Sequence, residues 1–332
     1  MLEEFKNAVE LYRKFSDEEA AVKYVEQHRW NGLPTCPWCS SSQYYRLKSK
    51  TQPYYCKVCR RNYSVRSGTI FSSSNLPLGK WLIALWHVTS SKNFVGVQEL
   101  SKTIGVTDKT AWFMLQRIRS TYADNSVTKL DGEVQVDEIY LGPDKKKMSK
   151  ERKRKAIKGS GCVGKIPVVG IYHSPTGRLR YIVAENGVGE DLTSSLLDKY
   201  VSKDAVLVTD ASRVYISAGK KQAKHVSLNH KRRQFGEDGY HSNGIEGSFR
   251  HFRDKMRSRH KGRVSAWHLQ RYADEFTYLT NKSKEIAHAK ASRKNGQAVE
   301  EPNLVIPHHL ERVLSYKDIL RAKQECKVKK IE

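Results

Sequence analysis

The sequence predicts a mixed α/β chain in which small modules lead into a larger sheet domain. Three observations carry that expectation. Two Cys-x-x-Cys pairs lie close together near the start. Helical patterns broken by a Gly-containing turn follow them. From residue 131 the periodicity changes to strands, and acids stand in or at the end of two of these strands.

Size and charge bound the rest. The chain has 332 residues, enough for two or three domains, and 38% of them are hydrophobic. Lys plus Arg number 60 against 35 acids, a formal charge of +25. That balance predicts a polyanionic partner, nucleic acid before an acidic membrane surface. No apolar run approaches the roughly 20 residues that a membrane helix needs. No signal peptide precedes the first helix, so the expected location is the cytoplasm, nucleoid-associated, or the nucleus in a nucleated cell.

Residues 1–31 read as a helical lead-in with a capping-box start at Ser16-Asp17-Glu18-Glu19. Residues 32–68 hold Cys36-Pro37-Trp38-Cys39 and Cys56-Lys57-Val58-Cys59, with 16 residues between the pairs. Four thiolates at that spacing make a closed tetrahedral zinc site, structural because no coordination position stays open. Disulfides are not the reading, since the spacing is that of metal knuckles. Tyr54, Tyr55 and Tyr63, beside Lys57, Arg60 and Arg61, fit either a nucleic-acid contact or the packing of a small ribbon.

A Gly/Ser-rich link at 67–75 leads into residues 76–124. An apolar helix opens at Leu76-Pro77-Leu78 and runs to about Ser91. A short helix covers Val97 to Ile104, Gly105-Val106-Thr107 turns, and a longer helix starts at Asp108. Helix, glycine turn, helix is helix-turn-helix grammar. Lys109, Thr110, Gln116 and Arg117 are its expected DNA-facing residues.

The sheet domain is expected over 130–283. Val134 to Leu141 is its first strand, and Asp137 interrupts it. An acid is costly in a core unless paired, and a divalent cation is a common partner. A basic insertion at 144–158 carries nine cations within 14 residues, from Lys145 to Lys158. Strands follow at Ile166–Tyr172 and Leu179–Ala184, then a helix at about Glu190–Tyr200. Val206 to Thr209 is an apolar strand ending in Asp210. A short strand near His225–Leu228 comes next, then helices starting near Asn243 and Ser265. Residues 284–332 form a basic tail. Three strands, helix, strand, short helix, strand, helix is the order of a ribonuclease-H-like domain. In that arrangement the first and fourth strands are neighbours, so Asp137 and Asp210 lie side by side with Glu246 facing them.

Carboxylates are hard oxygen ligands suited to Mg²⁺ or Mn²⁺. Two such ions about 3.5–4 Å apart make a phosphoryl-transfer site. Glu138 and Glu275 are expected as surface charges. The helix after Asn243 carries two stripes. Ile245, Phe249, Phe252 and Met256 form a buried face, and Glu246, Arg250, Arg253 and Arg257 recur at the same intervals one residue later. One acid cannot pair three arginines, so these cations are expected to hold the phosphates of a DNA strand.

Over residues 25–282 the chain resembles the DDE transposases of bacterial insertion sequences with a zinc-ribbon N-terminus. This is the ISXO-type group, to which the Merlin elements of eukaryotes are related. The resemblance lies in Cys36-Pro37-Trp38-Cys39, Ser67-Gly68-Thr69-Ile70-Phe71, Leu78-Gly79-Lys80-Trp81 and Lys109-Thr110-Ala111-Trp112. It continues in Leu115-Gln116-Arg117-Ile118-Arg119, Val136-Asp137-Glu138, Thr209-Asp210, His241-Ser242-Asn243-Gly244-Ile245-Glu246 and Arg271-Tyr272-Ala273-Asp274-Glu275-Phe276. It implies metal-dependent cutting and strand transfer of the element's own DNA ends. Asp137 and Asp210 match the family's two aspartates and Glu246 its third acid, with 35 residues between it and Asp210. Some relatives carry Asn or His as the third residue, which makes Asn243 the reserve. The family often has Lys seven residues after the Glu, where this chain has Arg253. The expected partners are element ends and target DNA, bound by a homo-oligomer. The rival expectations are a non-catalytic DNA-binding protein derived from such an element, and a nuclease that cuts without joining.

Overall fold

Capping chemistry sets the first elements. In the computed structural model of the chain, residues 5, 7–49, 51–91, 93–123, 128–142, 151, 165–229, 236–260 and 264–294 are described. They divide into two units, one up to Tyr122 and the other from Ala123 onward. Asn7 caps helix α1 (Ala8–Lys14) by accepting the Glu10 N–H. Asp17 caps helix α2 (Glu18–Trp30), accepting from Glu19 and Ala20. The expected cap Ser16 bonds back to the Arg13 carbonyl instead. Asp17 stands one residue closer to the free amides of the first turn.

Glu18 serves another helix. Its carboxylate accepts the Leu78 N–H at 2.7 Å and pairs with Arg66. It thereby caps helix α3 (Leu78–Ser90), whose own N-cap Pro77 offers no side-chain bond. A Cβ at Gly79 would lie 2.2 Å from the Phe15 carbonyl oxygen, so only glycine lets α1 end this close to α3. The lead-in, the cysteine module and the helices through 122 therefore share one unit.

The cysteine module is a three-stranded antiparallel sheet, β1 (Tyr44–Arg46), β2 (Tyr54–Cys56) and β3 (Asn62–Tyr63), in that order. Trp30 packs edge-on against Tyr54 and Tyr63 at 5.3 and 6.0 Å. Those two tyrosines are core, and only Tyr55 of the expected three faces outward. The 67–75 segment differs from a plain link, because Thr69, Ile70 and Phe71 are fully buried. Helices α4 (Val97–Ile104) and α5 (Asp108–Arg119) flank a tight turn. Gly105 ends α4 in the left-handed region at φ 61°, and Thr107 caps α5 by accepting the Thr110 N–H.

The second unit is built on five strands: β4 (Glu133–Leu141), β5 (Ile166–His173), β6 (Arg178–Val183), β7 (Val206–Asp210) and β8 (Lys224–Leu228). Their order is β6-β5-β4-β7-β8. The first three are antiparallel neighbours, and β7 and β8 run parallel to β4. Helices α6 (Glu190–Tyr200) and α7 (Arg213–Gly219) pack Leu196, Leu197, Tyr200 and Tyr215 on one face, against Val134, Val136, Val169 and Leu207. Helix α8 (Asn243–His260) covers the other face. Its Phe249 stacks on Tyr181 of β6. A hairpin of Gly236–Glu237 with Tyr240–His241, which the sequence pattern does not announce, precedes it.

The last helix, α9 (Ala266–Lys294), protects the edge strand β6. Gln270 accepts the Val183 N–H and donates to the Tyr181 carbonyl, and Asn281 bonds both backbone groups of Leu179. These amides satisfy an edge that would otherwise invite another strand. The helix runs to Lys294, so the expected boundary at 283 falls inside it. The expected insertion at 144–158 lies, apart from Glu151, outside the described residues, as does the tail beyond 294.

Candidate active site and metal centre

Register brings two of the predicted acids together. β4 and β7 pair in parallel from Glu133 opposite Val206 to Val136 opposite Thr209. The next residues of the two strands are Asp137 and Asp210, so they stand side by side on one face. Strand alternation makes it the face of Gln135 and Gly170, which α8 covers. Asp137 pairs in register with Gly170, where a Cβ would meet Ile245 at 2.6 Å and Phe249 at 2.7 Å. Glycine there seats α8 directly on the sheet beside Asp137.

Two more contacts fix the start of α8. Gln135 is fully buried, accepts the Ile245 N–H at 3.0 Å, and donates to Glu133 and Ser174. Gly244 lies against Tyr172, whose ring a Cβ would meet at 2.2 Å. Ser242 then donates to the Glu246 carboxylate at 2.5 Å. Sequence reasoning passed over Gln135, Gly170, Gly244 and Ser242 as site-forming residues. A polar Gln between two valines, and a glycine inside an apolar strand, were the available signals.

The electrostatics agree with this geometry. Burial pushes the Asp137 carboxyl up to about 7, against the pull of the Glu138 N–H that it accepts at 2.8 Å. The charges of Glu138, Asp210 and Glu246 push the same way. Asp210 accepts the Ala211 N–H at 2.6 Å. Glu246 and Asn243 are exposed in the first turn of α8. An aspartate crowded by three carboxylates and holding its proton to near neutrality fits a divalent-cation site, since a cation offsets that repulsion. The three acids are gathered less tightly than the cysteines, which form the one ligand group close enough to bind as it stands among the described residues.

Other expectations sort by exposure. Arg250, Arg253 and Arg257 are exposed on the α8 stripe, while Ile245, Phe249, Phe252 and Met256 are buried beneath it. Lys109 is exposed and Thr110 half-buried. Gln116 is buried, and Arg117 turns inward to donate to the carbonyls of Ile70 and Ser72. Arg117 thus holds the 67–75 segment, and neither side chain is the outward-facing one expected. Trp112 and Phe113 are the exposed residues of the helix middle. Glu275 is buried and Glu138 half-buried beside Tyr215, so neither is the surface charge expected.

The four cysteine sulfurs lie within 4.8 Å of one another, with Cys36–Cys59 and Cys39–Cys56 both at 3.5 Å. Ligands about 2.3 Å from a tetrahedral zinc stand about 3.8 Å apart, so the set fits zinc. The Cys59 N–H and neighbouring groups hold the Cys56 thiol down at about 7, while burial pushes Cys59 up to about 12.

Comparison with known families gives the same division. The ISXO2-like transposase domain matches residues 129–281, and the transposase zinc-ribbon domain matches residues 16–62. The chain carries a transposase zinc ribbon followed by an ISXO2-like transposase domain. A relative of this transposase is described as an uncharacterized protein in transposable element ISH50 of Halobacterium salinarum. It is 27% identical over 211 residues, covering 61% of this chain and 70% of that one. Among solved structures, a simian T-cell lymphotropic virus intasome in complex with PP2A regulatory subunit B56 gamma matches 65% of this chain and 70% of its own. At 12% identity and a TM-score of 0.28 that likeness carries no argument. Among the described residues of the transposase no helix is long and apolar enough to cross a membrane.

Proposed function

We propose that this transposase binds the ends of its own element and both cuts and joins DNA strands, in a ribonuclease-H-like catalytic domain. The observation that carries the reading is that Asp137 and Asp210 directly follow the last paired residues of adjacent parallel strands, on the face covered by the helix that bears Glu246. The strand order β6-β5-β4-β7-β8, with three antiparallel strands and two parallel additions, supports the ribonuclease-H-like assignment.

Asp137, Asp210 and Glu246 are the residues that would hold Mg²⁺ or Mn²⁺. Bound divalent cations supply activation of a water or 3′-hydroxyl and offset charge on the leaving oxygen. The chain's own contribution is placement. β4 and β7 fix the two aspartates rigidly, and the Gln135, Gly244 and Gly170 contacts set the height of Glu246 above them. Ser242 orients the Glu246 carboxylate from within the same turn. Asn243 stands beside it as the reserve third residue. Arg250, Arg253 and Arg257 extend from Glu246 along the exposed side of α8, and a DNA strand entering the acids would pass their guanidinium groups. Lys109 and Thr110, at the start of α5, are suited to contact an element end as the second helix of a helix-turn-helix. The cysteine ribbon holds structural zinc, and the working assembly is a homo-oligomer on DNA.

The test is a strand-cleavage and strand-transfer assay on labelled element ends in Mg²⁺. Asp137→Asn, Asp210→Asn and Glu246→Gln should each abolish both steps while end binding survives, because an amide is a poor cation ligand. Full activity in any one removes that residue from the set. An active Glu246→Gln with an inactive Asn243→Ala moves the third assignment to Asn243. Cleavage without joining by the wild type would leave a nuclease.

A further inference from the structure

The outer face of the cysteine ribbon has no role in the site described above. Alternation along β1 and β2 turns Tyr44 and Tyr54 inward and Tyr45 and Tyr55 outward. Tyr45 is paired in register with Tyr55, and Tyr55 with Asn62, so one cross-strand row lies on that face. The rings of Tyr45 and Tyr55 are stacked, 6.4 Å between centroids at 25°. Tyr45 is nevertheless 57% exposed. The Lys57 ammonium lies 4.3 Å from its ring centroid. On the zinc knuckle, Trp38 is 42% exposed with the Arg61 guanidinium 5.9 Å from its ring.

Charge sharpens the pattern. No Asp or Glu occurs between Glu26 and Glu99, whereas Arg46, Lys48, Lys57, Arg60 and Arg61 all fall in the ribbon. Even a zinc site of four thiolates, at net −2, leaves this module positive. Exposed aromatic rings interleaved with cations, in a stretch of sequence without acids, suit a polyanion that also offers flat apolar faces. A nucleic-acid strand offers both. In a duplex the faces of the bases are covered by their neighbours, and rings lying on a sheet cannot reach them. In an unpaired strand the faces are open, and base–aromatic stacking is available at each step.

We propose that the outer face of the ribbon, centred on Tyr45 and Tyr55 with Lys57, is a stacking site for unpaired DNA bases. The proposal rests on the reading of the chain as a DNA-cutting transposase, whose cut ends supply unpaired strands. Lys57 covers the ring in the free protein. When a base takes its place on Tyr45, Lys57 is beside the adjoining phosphate. Trp38 and Arg61 repeat the same pairing of ring and cation at the knuckle.

The test uses the full zinc-loaded chain with two fluorescein-labelled probes, a short oligo(dT) and a blunt duplex of two fully paired strands. Tyr45→Ala and Tyr55→Ala should each weaken oligo(dT) binding roughly 5- to 150-fold, the range spanned by loss of one base–aromatic stack. Zinc content and duplex binding should stay at the wild-type level. Tyr45→Phe should bind as wild type, since the ring stacks and the hydroxyl does not. Lys57→Ala should lower the magnitude of the log–log salt slope for oligo(dT) by about 0.7, while the tyrosine variants keep it. Unchanged oligo(dT) affinity in both alanine variants overturns the proposal, and so does an equal loss toward the duplex. Should an alanine variant lose zinc, Tyr45→Leu, which keeps strand packing without the ring, carries the same expectations. A wild-type chain that cuts no element-end DNA yet shows this tyrosine dependence keeps the stacking site and loses the catalytic reading. Normal cutting with tyrosine-independent binding does the reverse.

Discussion

Asp137→Asn should stabilise the sheet unit in magnesium-free buffer, and the gain should grow with pH. Asn keeps an oxygen to accept the Glu138 N–H, now bonded to Asp137 at 2.8 Å, and removes only the charge. Folding raises the Asp137 pKa from 3.8 to about 7, so the unfolded chain releases this proton first as pH rises. Between those values the unfolded state binds fewer protons than the folded one, and stability falls with rising pH. Above about 7 both states are ionised and the loss is complete. Three units at 1.36 kcal/mol each give an upper bound of about 4 kcal/mol, of which roughly 2–3 kcal/mol develops between pH 5 and pH 8. Asp210, Glu246 and Glu138, the acids facing the same carboxyl, act in the same direction. Urea unfolding followed by circular dichroism, wild type against Asp137→Asn at pH 5, 6, 7 and 8, reads the difference. Adding Mg²⁺ at pH 8 should shrink it, because the cation stabilises only the wild type. A difference that stays constant within about 0.5 kcal/mol, the size of an ordinary surface substitution, would refute the crowded-carboxylate reasoning.

Three further outcomes follow from other parts of the structure. Metal analysis should find about one zinc per chain, and Cys36→Ser or Cys56→Ser should unfold the ribbon and weaken end binding while the sheet unit still melts cooperatively; zinc-free protein with normal end binding would contradict this. Arg250→Ala, Arg253→Ala and Arg257→Ala should each lower the salt slope of end binding by about 0.7–0.9, with Arg253→Ala slowing cleavage more than Arg257→Ala because it lies a turn nearer Glu246; three unchanged slopes leave these arginines solvated. Gly244→Ala should cost about 1–3 kcal/mol of stability by overpacking against Tyr172 and slow cleavage, with Gly244→Ala/Tyr172→Ala recovering part of both; an active, stable single variant would show that the helix start is not held there.

The succession of strands along the chain, and the acids that stand in two of them, were legible because both depend on local patterns. Val206 to Asp210 is an apolar run with an acid at its end, and β4 alternates around Asp137, so each strand announces itself and its odd residue. Helix α8 was equally plain, since its buried and charged stripes recur at helical spacing. What sequence could not supply was which side of a helix or strand meets a distant segment. Gln116 and Arg117 look like polar residues on an exposed helix. Gln116 is buried, and Arg117 turns inward because Ile70 and Ser72, far away in the chain, present carbonyls to it. Tyr54 and Tyr63 could not be told from Tyr45 and Tyr55 until Trp30 of the preceding helix was known to cover one face of the ribbon. Glu18 read as part of its own helix's capping box, yet it caps α3 some sixty residues on, at Leu78.

The same limitation explains the third acid. Asp137 and Asp210 are fixed by backbone register, and a one-residue slip of either strand would turn its acid to the opposite face. Glu246 has no such constraint, since a helix can slide or rotate over a sheet. Its position depends on three side-chain-level fits: the buried Gln135 amide on the Ile245 N–H, the Gly244 backbone on the Tyr172 ring, and Ile245 and Phe249 over Gly170. Two of the three require the absence of a side chain, and the third requires an uncharged residue in the middle of a hydrophobic strand. Each is a residue choice that weakens a generic strand or helix. Together they hold Glu246, the proposed third ligand, which the sheet cannot place, and these positions depart from the pattern around them accordingly.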